Sequence, residues 1–148
     1  MKISTLDVFV TAQEAAARAK ELLAKVPELK DCEVELRDNG VALRRSVGPL
    51  ALELVWRVSL VAPNEVVAEL SQVAPSLMGG GMMADALMKE IAKKLNGVPG
   101  LRVEGREIFA DAAVFLRARL GVELAGALRE LAVTREGVSI RMEGAQQP

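Results

Sequence analysis

The sequence predicts one domain of the α+β class, with a curved, mainly antiparallel sheet and about three helices packed on one face of it. The chain has 148 residues, a length typical of a single domain with a substantial core. Strand-like alternation of apolar and polar residues fills 32–73 and predicts an antiparallel meander. Apolar residues at helical spacing occur before and after that meander. We assign 1–143 to the domain and 144–148 to a C-terminal tail.

The composition excludes several classes of protein. Hydrophobic residues make up 51% of the chain and charged residues 26%, which excludes a disordered tail. The net charge of -1 lacks the electrostatic footprint of a nucleic-acid binder, so no nucleic-acid partner is predicted. The absence of His excludes His-based zinc sites, Ser-His-Asp triads and Cys-His dyads. The single Cys32 cannot form an intramolecular disulfide and requires no oxidising compartment.

The first two elements are a strand over 3–10 and a helix that ends near Val26. Thr11 and Glu14 have the spacing of a capping box, in which each side chain satisfies a free backbone N–H of the other residue. Apolar residues then recur at helical spacing, which predicts a surface helix with one buried face. Pro27 ends this helix.

The meander begins with the clearest alternation in the chain. Cys32, Val34 and Leu36 alternate with Glu33, Glu35 and Arg37. This pattern is typical of a strand with one wet face. Asn39–Gly40 then predicts a tight hairpin turn, because both residue types tolerate positive φ. A second strand follows over 41–47, and Gly48–Pro49 turns the chain again.

A long strand over 50–62 forms the centre of the meander. One side of it is an unbroken apolar row: Leu50, Leu52, Leu54, Trp56, Val58, Leu60 and Ala62. Its length is roughly twice that of a common strand, which indicates a strongly curved or partly closed sheet. Pro63–Asn64 predicts the next turn, and 65–73 the returning strand.

Beyond Pro75 the composition changes. Gly79–Gly81 is interpreted as a flexible joint, and helix 82–95 follows it. The remaining elements are a strand over 101–110 with a bulge or bend at Gly105, a short helix from an Asp111 N-cap to about Leu120, and a hairpin of strands 128–134 and 138–142.

Few residues in this chain suggest chemistry. The triple glycine lacks the Lys-Ser/Thr of a P-loop and the spacing of a dinucleotide fingerprint, so a joint is favoured over a phosphate site. Asp111 with Glu104 and Glu107 could form an acid/base pair, but a helix cap beside a wet strand face is the favoured interpretation. No catalytic residue, metal site or cofactor is predicted, and the chain is not expected to be an enzyme.

Four methionines surround the triple glycine, at positions Met78, Met82, Met83 and Met88. Methionine adapts to irregular apolar shapes and occurs at promiscuous binding surfaces as well as in cores. Core packing is favoured, while an apolar ligand groove and a subunit contact stay open as alternatives.

From Leu101 onward the chain resembles a known family. The segments concerned are Val103–Gly105, Ile108–Ala113, Leu116–Gly121, Leu128–Val133 and Glu136–Ile140. They are similar to the C-terminal part of the LmeA-like phospholipid-binding family, small bacterial domains related in shape to tubular lipid-binding proteins. The resemblance implies a curved sheet with a helix in its concavity and acyl chains held between them. It assigns no individual binding residue.

Three hypotheses for function follow. The first is non-catalytic binding of an apolar or amphipathic, lipid-like ligand in a groove between the curved sheet and the Met-flanked helix. Its lining residues would be Leu52, Leu54, Trp56, Val58, Met82, Met83 and Leu87. The second is a structural protein that forms a homodimer through a strand edge or a Met surface. The third, ranked last, is an enzyme that uses carboxylates alone or with a divalent metal. We expect a cytoplasmic protein without a transmembrane segment.

Overall fold

A computed structural model describes residues 5–27, 29–62, 64–74, 80–114, 117 and 126–144. The elements in chain order are β1 (Thr5–Thr11), α1 (Ala12–Leu23), β2 (Glu33–Arg37), β3 (Gly40–Val47), β4 (Leu50–Ala62), β5 (Glu65–Ala74), α2 (Gly80–Leu95), β6 (Leu101–Glu104), β7 (Glu107–Asp111), β8 (Gly126–Thr134) and β9 (Gly137–Gly144). Most of the expected short helix beyond Asp111, together with Met78, Gly79 and residues 145–148 of the expected tail, lies outside the described residues.

The α+β class is confirmed, and all strand pairs are antiparallel. The described strands form two sheets where the sequence analysis expected one. A six-stranded sheet has the order β2-β3-β4-β5-β7-β6, and a three-stranded sheet has the order β1-β9-β8. The sheet is curved, as the length of β4 predicted, and it is not closed, so the partly closed alternative is wrong.

The predicted meander is confirmed, since β2, β3, β4 and β5 are successive neighbours. Asn39 and Gly48 take positive φ of 63° and 60° in the first two turns. Gly40, expected in the turn, is instead the first residue of β3 and pairs with Arg57. A Cβ at Gly40 would collide with the backbone carbonyl of Trp56. Glycine is therefore required there for close backbone approach and not for the turn.

Three element predictions need correction. The strand expected over 101–110 is a hairpin of β6 and β7, because Gly105 adopts φ 58° and reverses the chain. Helix α2 starts at Gly80, so two of the three glycines belong to its first turn and not to a joint. Helix α1 ends at Leu23, and none of its residues is fully buried. The predicted Thr11 cap is confirmed, since its side chain accepts from the Glu14 N–H.

The principal core lies between the apolar face of the six-stranded sheet and α2. Its buried members are Val26, Leu29, Cys32, Leu43, Leu54, Trp56, Leu70, Ala84, Met88 and Ile91. The cross-strand partners in β3 and β5 contribute to it, because residues directly opposite each other share a face. Ala84, Met88 and Ile91 lie on the face of α2 that packs against the sheet in this cluster. The expected role of Met88 as a core residue is confirmed.

Two asparagines connect the two sheets. The Asn39 N–H donates to the Val133 carbonyl at 2.8 Å, and the Asn64 side chain accepts from the Leu128 N–H at 2.8 Å. Both asparagines have positive φ, and among the described residues they are the only non-glycine residues that do. Asparagine tolerates this backbone conformation better than most side chains. The turns that reverse the chain thus also join β8 to the six-stranded sheet.

Candidate functional site

The expected ligand-lining residues of β4 lie on one face of the six-stranded sheet. Leu54 and Trp56 are 1% and 5% exposed, and both belong to the core. Leu52 is half-buried and packs against the same cluster. Val58 is half-buried and lies on the same face but outside the cluster. From Leu52 to Val58 the apolar side of β4 is therefore fully buried at its centre and half-buried at both ends.

Helix α2 packs against this apolar face of the sheet and forms the other side of the candidate site. Leu87 is half-buried and packs on the core cluster, so the structure brings it together with Leu52, Leu54 and Trp56. The side chains of Met82 and Met83 lie outside the description. A surface depression of about 350 Å³ lies where α2 meets the β6–β7 hairpin. It is lined by Asp85, Met88, Lys89, Ala92, Val103 and Gly105.

The apolar face continues past the core towards the far ends of β4, β5 and β7. Leu60 pairs with Val66 across β4 and β5, and Val66 pairs with Ala110 across β5 and β7. Together with Val58 these side chains are only half-buried. We call Val58, Leu60, Val66 and Ala110 the outer apolar row. Leu60, Val66 and Ala110 were not predicted as site residues, although the alternation of apolar residues in β4, β5 and β7 was the available signal.

The indole of Trp56 is the buried polar group of this face, on which Arg45 is half-buried. Among the described residues it carries the one buried side-chain polar atom without a hydrogen-bond partner, its Nε1. No polar or charged residue of the described chain is fully buried. Buried donors are nearly always satisfied in folded proteins, so an unpaired indole N–H beside an apolar surface is unusual.

The opposite face of the sheet carries a network of ion pairs. The Arg37 guanidinium donates to both carboxylate oxygens of Glu53, at 3.2 and 3.3 Å, and Arg44 Nε donates to Glu53 Oε2 at 2.9 Å. Glu35 extends the network, with a carboxylate oxygen 3.2 Å from Arg44. The hydrogen bonds from Arg37 and then Arg44 lower the pKa of Glu53. These charges cover the wet face of β2, β3 and β4 and do not converge on a cleft.

The outer face of the three-stranded sheet carries both apolar and charged side chains. Phe9 is 57% exposed there and lies opposite Ser139. Arg141 joins Asp7 at 2.9 Å and Glu130 at 3.5 Å across the three strands. A shallow depression of about 290 Å³ includes these residues. The bond to Asp7 raises the pKa of Arg141, which stays charged.

The residues considered for catalysis or metal binding lie in surroundings that are typical of structural residues. Within the described ranges, no three His, Cys, Asp or Glu residues come together as a metal site would require. The Asp111 side chain accepts from the Val114 N–H at 3.2 Å, as the predicted helix cap does. Cys32 is buried, and burial raises the pKa of its thiol. No described helix has both the length and the apolar character needed to cross a membrane.

Comparison of the chain with models of protein families, with curated proteins and with solved structures found no match. The resemblance to the LmeA-like family stays a prediction from the sequence.

Proposed function

We propose that this protein binds an apolar or amphipathic, lipid-like molecule without catalysis, against the apolar face of the six-stranded sheet beside α2. The observation that carries the proposal is the outer apolar row. Four apolar side chains continue the face of Leu54 and Trp56 but remain half-buried, whereas a face that served only the core would be covered.

The chemistry of the face supports an apolar ligand. The described part of the chain offers no fully buried charge there and one unpaired donor, among side chains that are apolar apart from the half-buried Arg45. Ligand sites are predominantly apolar, with a few polar groups that fix orientation. The resemblance of the C-terminal third to phospholipid-binding domains points to the same class of ligand.

The single tryptophan makes this proposal directly testable. Trp56 is the only Trp of the chain and there is no Tyr, so emission excited at 295 nm reports on this position alone. We expect saturable quenching by 9,10-dibromostearate, because bromine quenches an indole only at close range. Unbrominated oleate should compete for the site without quenching.

Neighbouring residues of β4 supply matched variants for this experiment. Leu60 lies in the outer apolar row, whereas its neighbour Val61, at the β-bulge between Leu60 and Ala62, lies outside that row and is 64% exposed. Leu60→Glu should weaken quenching at least ten-fold, since it places a charge in the apolar surface. Val61→Glu should bind as the wild type does. Equal binding by the two variants, or no saturable quenching of the wild type, would contradict the proposal.

We propose homodimer formation through the free edge of β1 as a second candidate function, favoured by a comparison of strand edges. At the other three edges, β2 has three charged residues among five, β6 has four residues with the Val103 N–H already bonded to Asn96 at 2.9 Å, and β8 is bonded to Asn39 and Asn64. Short, charged or capped edges of this kind discourage pairing with another chain. β1 has seven residues, a single charge at Asp7 and no described strand on its outer side.

The sequence of β1 suits antiparallel pairing with a second copy. Around a two-fold axis at Val8, Thr5 would face Thr11 of the second copy and Leu6 would face Val10. Phe9 would then lie opposite Asp7 of the second copy and lose its exposure.

Charge substitutions at Phe9 test this pairing by sedimentation velocity. Phe9→Glu places like charges opposite each other and should weaken the dimer roughly ten-fold, whereas Phe9→Lys should retain it by facing Asp7. Val61→Glu controls for an added surface charge. A wild-type chain that stays monomeric at all concentrations, or equal effects of Glu and Lys, would contradict this candidate.

A further inference from the structure

The backbone groups of β1 that point away from β9 define the partner that this edge can accept. The Ala12 N–H donates to the Glu136 carbonyl at 2.9 Å, in the same register as the pairs between β1 and β9. Residues of an antiparallel strand bond alternately to one side and to the other. The even-numbered residues of β1 therefore bond to β9, and the odd-numbered residues present their backbone to the free edge: Thr5, Asp7, Phe9 and Thr11.

These outward groups have no backbone partner within the part of the chain that the structure describes, apart from the carbonyl of Thr11. Thr11 is the N-cap residue, and its carbonyl accepts the first bond of α1. The Phe9 ring does not shield the edge, because it leans back over β9, where a Cβ at Gly137 would lie 2.7 Å from Phe9 Cζ. A complementary strand can therefore approach the backbone of β1 along its length.

The alternation of bonded and outward residues restricts how a second copy can pair. An axis between two residues would place an outward odd-numbered residue opposite an inward even-numbered one, and it is excluded. An axis at Val8 pairs all the outward residues with one another. An axis at Asp7 leaves Thr11 unpaired and opposes two like charges. An axis at Phe9 leaves Thr5 unpaired.

The other edge of the same sheet limits the number of copies. The Val133 carbonyl of β8 accepts from the Asn39 N–H, and the Leu128 N–H donates to the Asn64 side chain, both at 2.8 Å. Part of the backbone of β8 is therefore already bonded within its own chain, which discourages the addition of another strand. Pairing through β1 consumes the free edge of both copies and leaves only β8 at the two ends.

We infer that β1 accepts one second copy with the two-fold axis at Val8, and that the two chains form a self-limiting six-stranded sheet of order β8-β9-β1-β1-β9-β8. This inference rests on the second candidate function, homodimer formation, because it specifies the register of the partner and the number of copies at the same edge. The outward N–H and C=O groups of Asp7 then bond to those of Phe9 in the second copy.

Single cysteines locate the axis. With the axis at Val8, the two copies of this residue form a non-hydrogen-bonded pair with Cα atoms roughly 4.5 Å apart, within the range of a disulfide. We expect Val8→Cys to give a disulfide-linked dimer on non-reducing gels, with oxidised glutathione as the oxidant. Phe9→Cys should cross-link at least ten-fold more slowly, because its two copies are diagonal neighbours roughly 7–8 Å apart. Phe9 is 57% exposed, so this variant also measures linkage by random collision.

A mixture of two variants gives an independent measurement of the register. Leu6→Cys and Val10→Cys should cross-link with each other and not with themselves, because the axis at Val8 places these two positions opposite each other. The wild type is the control for Cys32, which is buried and should stay unlinked. Sedimentation velocity of the wild type should show monomer and dimer, without larger species, as the protein concentration rises.

The outcomes distinguish this inference from the candidate function on which it rests. A wild-type dimer in which Phe9→Cys links faster than Val8→Cys would overturn the register and leave dimer formation intact. Wild-type assemblies larger than a dimer would overturn the limit of two copies. A wild-type chain that stays monomeric at all concentrations would remove the second candidate function and the inference with it.

Discussion

Asn64 combines a backbone with positive φ and a side chain that accepts a hydrogen bond. Its backbone adopts φ 67°, and its side-chain oxygen accepts the N–H of Leu128, which is 6% exposed. Its backbone carbonyl also accepts from the Ala112 N–H at 2.6 Å. The residue therefore holds β8 and the segment after β7 to the same turn, and its identity is constrained by geometry and by hydrogen bonding.

Substitutions at Asn64 should separate those two contributions. Asn64→Gly keeps the positive φ but loses the acceptor, and we expect a loss of about 1–2 kcal/mol of unfolding free energy. Asn64→Ala loses both features and should cost about 1 kcal/mol more. Asn64→Asp retains an oxygen acceptor and should remain close to the wild type. Urea denaturation measures all three, and equal losses for Gly and Ala would contradict a role for backbone conformation.

Gly40 is required for close contact between β3 and β4. Gly40→Ala should cost about 1–3 kcal/mol, because the new Cβ would collide with the Trp56 carbonyl and push two paired strands apart. Gly97→Ala is the matched control, since its Cβ would meet no atom within 4 Å. Thermal unfolding should show a lower midpoint for the first variant alone. An unchanged midpoint in Gly40→Ala would mean that the strands can separate freely.

Among the strands, β2, β3 and β4 are linked on their wet face by the Glu53 network. Glu53 has a folded pKa below its ordinary value of 4.5, because Arg37 and Arg44 bond to its charged form. A lowered folded pKa means that the unfolded chain binds the proton more readily. The stabilisation is therefore present above about pH 4.5 and is lost as the pH falls through the folded pKa.

Glu53→Gln should therefore lower stability at neutral pH and have little effect in acid. We expect a loss of up to about 1 kcal/mol at pH 7, because the network is partly exposed to solvent. The difference from the wild type should shrink as the pH falls below 4.5. Urea denaturation at a series of pH values measures it, with Glu136→Gln in the turn between β8 and β9 as the control. A difference that is constant with pH would mean that the charge of Glu53 contributes nothing.

The meander could be predicted because its signals are local. Alternation in β2 and β4 and the turns at Asn39 and Gly48 lie within a few residues of each other. The β6–β7 hairpin was not predicted, although the sequence contains a signal for it. Apolar residues change from odd positions, Leu101 and Val103, to even positions, Ile108 and Ala110. Such a change of parity indicates that the chain turns between them.

For the whole chain, sequence alone could not give the division into two sheets. That division depends on where β8 meets the turns at Asn39 and Asn64, a contact between residues far apart in sequence. The extent of the candidate site could not be predicted for the same reason. The pattern of β4 predicted one apolar face, but which part α2 would cover depends on packing between distant elements. Leu54 and Val58 have the same local pattern and different burial.

The two proposed functions predict that the melting temperature depends on different concentrations, that of the ligand or that of the protein. A ligand that binds only the folded chain raises its stability by RT ln(1 + [L]/Kd), about 2.7 kcal/mol at a hundred-fold excess over Kd. For a chain of this length each kcal/mol raises the melting temperature by roughly 2–4 °C. The increase should depend on the concentration of ligand and not on that of the protein. A homodimer should instead melt at higher temperature as the protein concentration rises, with no ligand present.

Scanning calorimetry over a wide range of protein concentration, with and without oleate, separates these cases. Leu60→Glu should abolish the increase caused by ligand and leave any dependence on protein concentration, because Leu60 lies in the outer apolar row. Phe9→Glu should have the reverse effect, because Phe9 lies on β1 at the edge of the other sheet. A wild-type melting temperature that responds to neither variable would contradict both functions. A response to both, with each variant removing one of them, would mean that one chain binds a ligand on the apolar face of its six-stranded sheet and a second copy at the edge of β1.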